Sequence, residues 1–299
     1  MEKEFKSGFV SIVGMPNVGK STLLNTLAGQ KIAIISDKPQ TTRDKILAVY
    51  NDADSQIVFI DTPGIHKPKS KLGEFMMRTA DETMHDADAV IMAVDATRRL
   101  SEAERELAAG LKDAGERCIL VINKVDLVNK DALLPVIAQY AAAADFDAVV
   151  PLSARNNDGV GLLVDEIKKL LQPGPAYYDE DTVTDRTEKE LAAEIIREKL
   201  LNSLDKEVPH GIAIEIEKMK EKPKITEISA VIYCEKSSHK GIIIGKNGEM
   251  LKKIGAEARA DIEEMLDKKV FLELWVRVKK DWRNNNFLLK NFGFAQNGE

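Results

Sequence analysis

The 299-residue sequence predicts an α/β domain built on a mostly parallel sheet, followed by a smaller α+β domain. Three observations carry that expectation. An apolar run, Phe9–Val13, leads straight into Gly14-Met15-Pro16-Asn17-Val18-Gly19-Lys20-Ser21. Short apolar runs then alternate with helical patterns as far as Pro173. Beyond Pro173-Gly174-Pro175 the rhythm changes to strands with period-two alternation and a different helix order.

The segment Gly14–Ser21 fits G-x-x-x-x-G-K-[ST], the phosphate-binding P-loop, in the strand–loop–helix setting that this pattern needs. Glycines let backbone N–H groups turn toward an anion, and the helix starting near Lys20 adds its positive dipole end. Lys20 can reach the β/γ-phosphates, and the Ser21 hydroxyl can ligate Mg²⁺. Gly14, Asn17, Val18, Gly19 and Thr22 complete the expected phosphate contacts.

The remaining strands of the first domain are expected at Ile57–Ile60, Ala89–Val94, Cys118–Ile122 and Ala148–Leu152. Continuous apolar runs of this length suit strands buried on both faces of a parallel sheet. Ile46–Tyr50 precedes Ile57–Ile60 across Asn51-Asp52-Ala53-Asp54, which predicts a hairpin and one antiparallel edge strand. Helices are expected at about Lys20–Ala28, Ser70–His85, Ser101–Asp113, Asp131–Ala143 and Val160–Leu171. Pro173-Gly174-Pro175 and Asp179-Glu180-Asp181 mark a linker. The expected division is 1–173, a linker 174–186, and a second domain 187–299.

The second domain opens with a helix carrying Leu191, Ile195, Ile196 and Leu200 on one face. Ile212, Ile214 and Ile216 alternate with polar or small residues, as do Ile228, Ala230, Ile232 and Cys234. Leu251, Ile254, Ala258, Ile262 and Met265 recur at helical spacing, and Leu272, Leu274, Val276 and Val278 alternate in a last strand. The order is α-β-β-α-α-β with an antiparallel or mixed sheet.

Net charge is −6, so the chain as a whole is not a basic nucleic-acid binder. Lys222–Lys290 holds 15 Lys/Arg against 10 Asp/Glu, a local +5 that leaves −11 for the rest. That asymmetry suggests an anionic partner for the C-terminal part alone. Cys118 and Cys234 lie in apolar runs with no C-x-x-C, which supports neither zinc nor a disulfide framework. The charged start, Met1–Gly8, enters a strand directly, so no signal peptide is expected. No run approaches the ~18 apolar residues of a membrane span. The expected location is cytoplasmic, as a monomer, with peripheral contact at the cell membrane left open.

Further motifs close the predicted strands of the first domain. Asp61-Thr62-Pro63-Gly64 follows Ile57–Ile60, where Asp61 can hold Mg²⁺ and the Gly64 N–H can approach a γ-phosphate. Asn123-Lys124-Val125-Asp126 follows Cys118–Ile122 as N-K-x-D, a guanine-reading element. The Asp126 carboxylate can accept from guanine N1–H and the 2-amino group; adenine offers neither donor there. Asn123 should brace the loops, and the Lys124 stem should cover the base. Ser153-Ala154 follows Ala148–Leu152, where the Ala154 N–H would meet guanine O6. Pro39-Gln40-Thr41-Thr42-Arg43 lies where a switch loop supplies a threonine to Mg²⁺; Thr42 is favoured over Thr41. Lys20, Thr42 and Gly64 are the candidate catalytic groups.

Together these motifs resemble the bacterial Era GTPases. Thr182-Val183-Thr184-Asp185-Arg186 and Ala192–Leu200 resemble that family's linker and the first helix of its C-terminal domain. The resemblance covers nearly the whole chain. It implies a Ras-like GTPase domain and a type II KH domain that binds the 3′ end of 16S rRNA and helps mature the small (30S) ribosomal subunit. Gly245-Lys246-Asn247-Gly248 fits a KH GxxG loop, flanked by His239, Lys240, Lys252 and Lys253. By itself the loop reads equally well as a helix–turn–helix corner; the element order and the resemblance favour KH. Phe271, Trp275, Arg277 and Lys279 share one strand face. They could stack a base, but covering a hydrophobic edge under the C-terminal helix is slightly preferred. Asp281–Phe294 reads as a terminal amphipathic helix, docked on the KH sheet or touching the first domain, a membrane or the ribosome.

Ras-type enzymes orient water with a glutamine after D-x-x-G; here Ile65 stands there and cannot. Slow intrinsic turnover is expected. Some relatives of the family use K⁺ held by a P-loop asparagine, and Asn17 matches that place. The competing classes are a binding module whose hydrolysis is incidental, a P-loop kinase, which N-K-x-D argues against, and a GTPase whose C-terminal domain meets proteins or anionic membrane.

Overall fold

The computed structural model describes residues 4–38, 41–64, 70–205 and 208–294. Pro39, Gln40 and Ile65 lie outside them. The first sheet takes β1 (Lys6–Val13), β2 (Ile46–Asp52), β3 (Ser55–Asp61), β4 (Ala89–Asp95), β5 (Cys118–Asn123) and β6 (Ala148–Pro151). Its order is β2-β3-β1-β4-β5-β6, parallel throughout except for β2. The turn at Ala53-Asp54 makes β2 the antiparallel edge that the hairpin signal predicts. Every residue of β4 and of β5 is buried, because helices cover both sheet faces.

Five helices serve this sheet: α1 (Lys20–Ala28), α2 (Lys71–His85), α3 (Glu102–Asp113), α4 (Lys130–Ala141) and α5 (Val160–Leu170). The sheet separates two cores. One joins Ile12, Phe59 and Ile91 to Leu23 of α1 and Leu163 of α5. The other joins Met92 and Leu120 to Ala108 of α3 and Tyr140 of α4. Cys118 is buried in the second core, and burial pushes its thiol up to about 12, so it behaves as a small apolar side chain.

The α+β part follows the expected order: α6 (Glu188–Ser203), β7 (Ile212–Glu221), β8 (Thr226–Cys234), α7 (Ser237–Ile244), α8 (Glu249–Leu266) and β9 (Val270–Val278). Its sheet is mixed, with β7 antiparallel and β9 parallel to the central β8. Ile196 and Leu200 of α6 and Ile254, Ala258 and Ile262 of α8 pack on one face with Ile228, Ala230 and Ile232.

The terminal segment differs from the single amphipathic helix expected. It is a 3₁₀ turn, Trp282–Asn284, followed by the short α9 (Asn286–Asn291). Trp282 is fully buried and its indole N–H donates to the Gly211 carbonyl at 3.0 Å. Phe292 packs on Tyr233 of β8 and on Trp282. This segment leaves Phe271 and Trp275 more than half exposed, contrary to the preferred expectation that they would be covered.

By compactness the chain divides into two units. Unit 1 is 1–33, 42–67 and 76–185; unit 2 is 34–41, 68–75 and 186–299. Unit 2 therefore gathers two short stretches from early in the chain with the α+β part. No helix among the described residues is long and apolar enough to cross a membrane.

Candidate nucleotide site and GxxG loop

The turn from β1 to α1 brings Gly14 and Lys20 together: the Lys20 ammonium donates to the carbonyls of Gly14 at 3.0 Å and Met15 at 3.2 Å. Burial pushes its pKa down, and the nearby Asp61 carboxylate opposes that. Gly19 caps α1 with φ +99°, and a Cβ there would stand 2.3 Å from Asn123 Nδ2. Without a Cβ at this position the loop carrying Asn123 can come this close to the turn before α1.

At the end of β3, Asp61 is fully buried. Its Oδ2 accepts from Ser21 Oγ at 2.7 Å and from Thr42 Oγ1 at 3.1 Å; the two hydroxyls are themselves 3.1 Å apart. Its Oδ1 is buried and has no hydrogen-bond partner among the described residues. Burial raises its pKa, against the opposing effects of Lys20, Ser21 and Thr42. Two hydroxyls and a carboxylate with an unsatisfied oxygen form an all-oxygen set suited to a hard cation that keeps some water, such as Mg²⁺. Thr42 is the threonine brought to this point; Thr41 Oγ1 instead donates to the Lys38 carbonyl at 2.6 Å. Gly64 is half-buried, close to Pro16 of the P-loop.

Asn123 spans three segments. Its Nδ2 donates to the Val18 carbonyl at 2.9 Å, while its Oδ1 accepts from Lys124 N–H at 2.8 Å and Ala154 N–H at 3.0 Å. The Ala154 N–H thus braces Asn123. Ser153 is buried beside it and pairs through its backbone with Asp158. Lys124 reaches the Asn17 carbonyl and Asp95 Oδ2, both at 2.7 Å. Asp126 is exposed. Thr22 sits in the first turn of α1, and Thr26 ties that helix to the Ala154 carbonyl at 2.8 Å. Asp95 escaped the sequence reading. The available signal was an acid closing the apolar run Ala89–Val94, one strand over from Asn123.

In unit 2, Gly245 ends α7 with φ +75°, Lys246–Gly248 makes a 3₁₀ turn, and Gly248 caps α8 with φ +80°. Lys246 and Asn247 are exposed, and Asn247 takes φ +52°. Lys240 lies on α7, and Lys252 and Lys253 on the first turn of α8, all exposed; Lys253 faces Glu257 at 3.9 Å. His239 is half-buried, its Nδ1 without a hydrogen-bond partner among the described residues. The loop thus offers backbone N–H groups and cations at a helix start, the arrangement that takes a phosphate.

A family model described as a 50S ribosome-binding GTPase matches residues 9–124, and a KH domain model matches residues 207–283. The chain is 52% identical to the GTPase Era of Ruminiclostridium cellulolyticum over 294 residues, 98% of this chain and 99% of that protein. It is 51% identical to the GTPase Era of Clostridioides difficile over 293 residues, 97% and 99% of the two. Among solved structures it is similar to an Aquifex aeolicus Era variant bound to GDP and AlF₄⁻, with TM-score 0.94, 40% identity and coverage of 98% and 100%. It is also similar to Era in complex with MgGDPNP and nucleotides 1506–1542 of 16S ribosomal RNA, with TM-score 0.93, 39% identity and the same coverage. With half its residues identical along nearly the whole length of both proteins, and both domain models in the same order, the chain belongs to the Era family of GTPases.

Proposed function

We propose that the protein is a GTP-driven switch that binds the single-stranded 3′ end of 16S rRNA through its GxxG loop and assists assembly of the small ribosomal subunit. Residues 1–173 would form the GTP-binding domain, 174–186 the linker and 187–299 the KH domain. The observation that carries the nucleotide part is the convergence of Ser21, Thr42 and Asp61 within 3.1 Å of one another at the foot of a P-loop lysine. For the RNA part it is the GxxG loop between α7 and α8, together with the solved Era complex holding a 16S rRNA fragment.

Phosphoryl transfer to water needs positioning and charge stabilisation more than covalent chemistry. Ser21, Thr42 and Asp61 would hold Mg²⁺, which neutralises charge on the β- and γ-phosphates when bound. Lys20 would exchange its loop carbonyls for phosphate oxygens, and the Gly64 N–H would contact the γ-phosphate. Asp126 would read guanine, with Lys124 along the base and Asn123, Ser153 and Ala154 bracing the loops. Asn17 is the candidate K⁺ ligand. Its backbone carbonyl already accepts from Lys124, so its side-chain amide oxygen would serve. Faster hydrolysis in K⁺ than in Na⁺, lost in Asn17→Ala, is the expected result; equal rates in both salts would dismiss the ion.

GTP would order the segments around Thr42 and Gly64 and thereby favour RNA binding. The test is binding of an RNA copying the 16S 3′ end, with a GTP analogue and with GDP, for wild type and Gly248→Asp. Gly248 is chosen over Gly245 because a Cβ at Gly245 would lie 2.6 Å from Met250, while one at Gly248 meets nothing within 4 Å; the left-handed φ of +80° at Gly248 still strains any side chain, and Asp tolerates that region better than most residues. Tight binding in the GTP state, lost in the variant, is expected. Weak binding indifferent to the variant would remove RNA from the function.

A further inference from the structure

We propose that Asp95 is a positioning residue of the nucleotide site. Its carboxylate holds the Lys124 ammonium as a cross-link between the base-reading loop and the P-loop, so that base and phosphate recognition engage together. The inference rests on the guanine-nucleotide reading of the site.

Asp95 is the last residue of β4, opposite Asn123 in the parallel register, and its side chain is 2% exposed. One oxygen is anchored by its own chain: Oδ1 accepts from the Thr97 N–H at 2.9 Å and the Thr97 hydroxyl at 2.7 Å. The other, Oδ2, faces Lys124 Nζ at 2.7 Å, and the same ammonium donates to the Asn17 carbonyl at 2.7 Å. Arg98 stays 3.6 Å away on an exposed side chain, so Lys124 is the close cationic partner.

The cross-link joins two residues with left-handed backbone, Asn17 at φ +66° and Lys124 at φ +65°. That region disfavours residues with a Cβ, so surrounding contacts must hold both in place. A lysine ammonium is a mobile point charge on a flexible stem, and a single carbonyl does not fix it. A buried carboxylate adds a charge-assisted bond of about twice the ordinary strength. It also neutralises Lys124, leaving Lys20 as the cation that meets the phosphates.

The test is a double-mutant cycle in the full chain, with Asp95→Asn, Lys124→Met and the pair, reading dissociation of a fluorescent GDP and its displacement by ADP. Asp95→Asn should speed GDP release about tenfold or more, as loss of one charge-assisted hydrogen bond implies. The double variant should release GDP no faster than Lys124→Met alone, because the carboxylate acts only through that lysine. Thr97→Val, which removes the hydroxyl bond to the far oxygen but keeps the N–H bond, should shift release in the same direction by less. Additive effects in the cycle, or unchanged release in Asp95→Asn, would overturn the proposal. Should Asp95→Asn fail to fold, Thr97→Val decides: release at the wild-type rate dismisses the clamp. If wild type itself does not prefer GDP to ADP, the nucleotide reading fails instead, which is a separate outcome.

Discussion

A carboxylate that accepts two hydrogen bonds from a base edge discriminates by what it loses with the wrong base. Asp126, the proposed reader of the base, stands exposed, and guanine offers it two donors where adenine offers none. Each charge-assisted bond is worth about 1.5–3 kcal/mol. Asp126→Asn should therefore weaken GDP binding by about a hundredfold or more and admit xanthine diphosphate, whose C2 carbonyl accepts from the new amide. Competition of GDP, ADP and XDP against a fluorescent nucleotide checks this, and retention of GDP affinity would refute it. Asp95 makes a prediction of another kind. Burial pushes its pKa up, but hydrogen bonds from Lys124 and Thr97 outweigh burial and hold it below the ordinary 3.8. Its folded value lies under its unfolded one, so its contribution to stability is complete above about pH 4 and is lost as pH falls through the depressed value. Unfolding measured between pH 3 and 5 should show a shallower loss in Asp95→Asn than in wild type. Motif residues such as Lys20 and Asn123 were legible because their chemistry fixes their spacing. Asp95 was not, since its role exists only through a neighbouring strand.

Strands and helices buried on two faces announced themselves by continuous apolar runs, and β4 and β5 fall within one residue of the expected bounds. Two helix starts also carried a signal that went unread. Ser101-x-x-Glu104 and Thr187-x-x-Glu190 both form complete capping boxes at α3 and α6. The C-terminal segment was harder, because its apolar residues face different ways rather than along one helical stripe. Trp282 fills a buried position, Phe292 meets Tyr233, and Phe287 stays exposed. Trp282→Ala should cost about 3–5 kcal/mol. Denaturant unfolding should show that loss while GDP affinity stays at the wild-type level, since every contact described for Trp282 lies in unit 2. A parallel loss of GDP affinity would contradict this. The β2–β3 hairpin is fastened differently. Lys168 of α5 pairs with Asp52 at 2.5 Å and Asp54 at 2.6 Å, and its pKa is raised to about 12: burial acts against the rise, and the two carboxylates overcome it. Lys168→Ala should destabilise by about 1 kcal/mol, the upper end for partly exposed ion pairs. The raised pKa places that contribution below pH 10.5, with its loss as pH climbs toward 12.

The proposed coupling between GTP and RNA requires that something sensitive to the γ-phosphate also belong to the part proposed to bind RNA. Unit 2 contains a stretch that adjoins Thr42 in sequence. Residues 34–41 are gathered with the α+β part, and they run directly into Thr42, the candidate Mg²⁺ ligand. Within unit 2, α6 and the residues just after it hold this stretch at several points. Glu198 accepts from the Ile35 N–H at 3.0 Å, and Lys38 pairs with Asp205 at 2.7 Å. Arg197, paired with Glu194 and 4% exposed at its side chain, donates to the Thr41 carbonyl. A buried guanidinium thus grips the carbonyl one residue before Thr42 in the chain. Linkage then sets a strict requirement: whatever factor the GTP analogue contributes to RNA affinity, RNA must contribute to GTP-analogue affinity. Coupling energies of about 1–3 kcal/mol, roughly 5- to 150-fold, are the usual range. Measured around the full cycle, the two factors should agree in wild type and should shrink together toward one in Arg197→Ala. GDP affinity in that variant should stay near wild type, because the grip bears on Thr42 and hence on the γ-phosphate side. An Arg197→Ala protein with intact coupling would place the connection elsewhere, and one that loses GDP and GTP-analogue binding equally would make Arg197 a stability residue with no part in the switch.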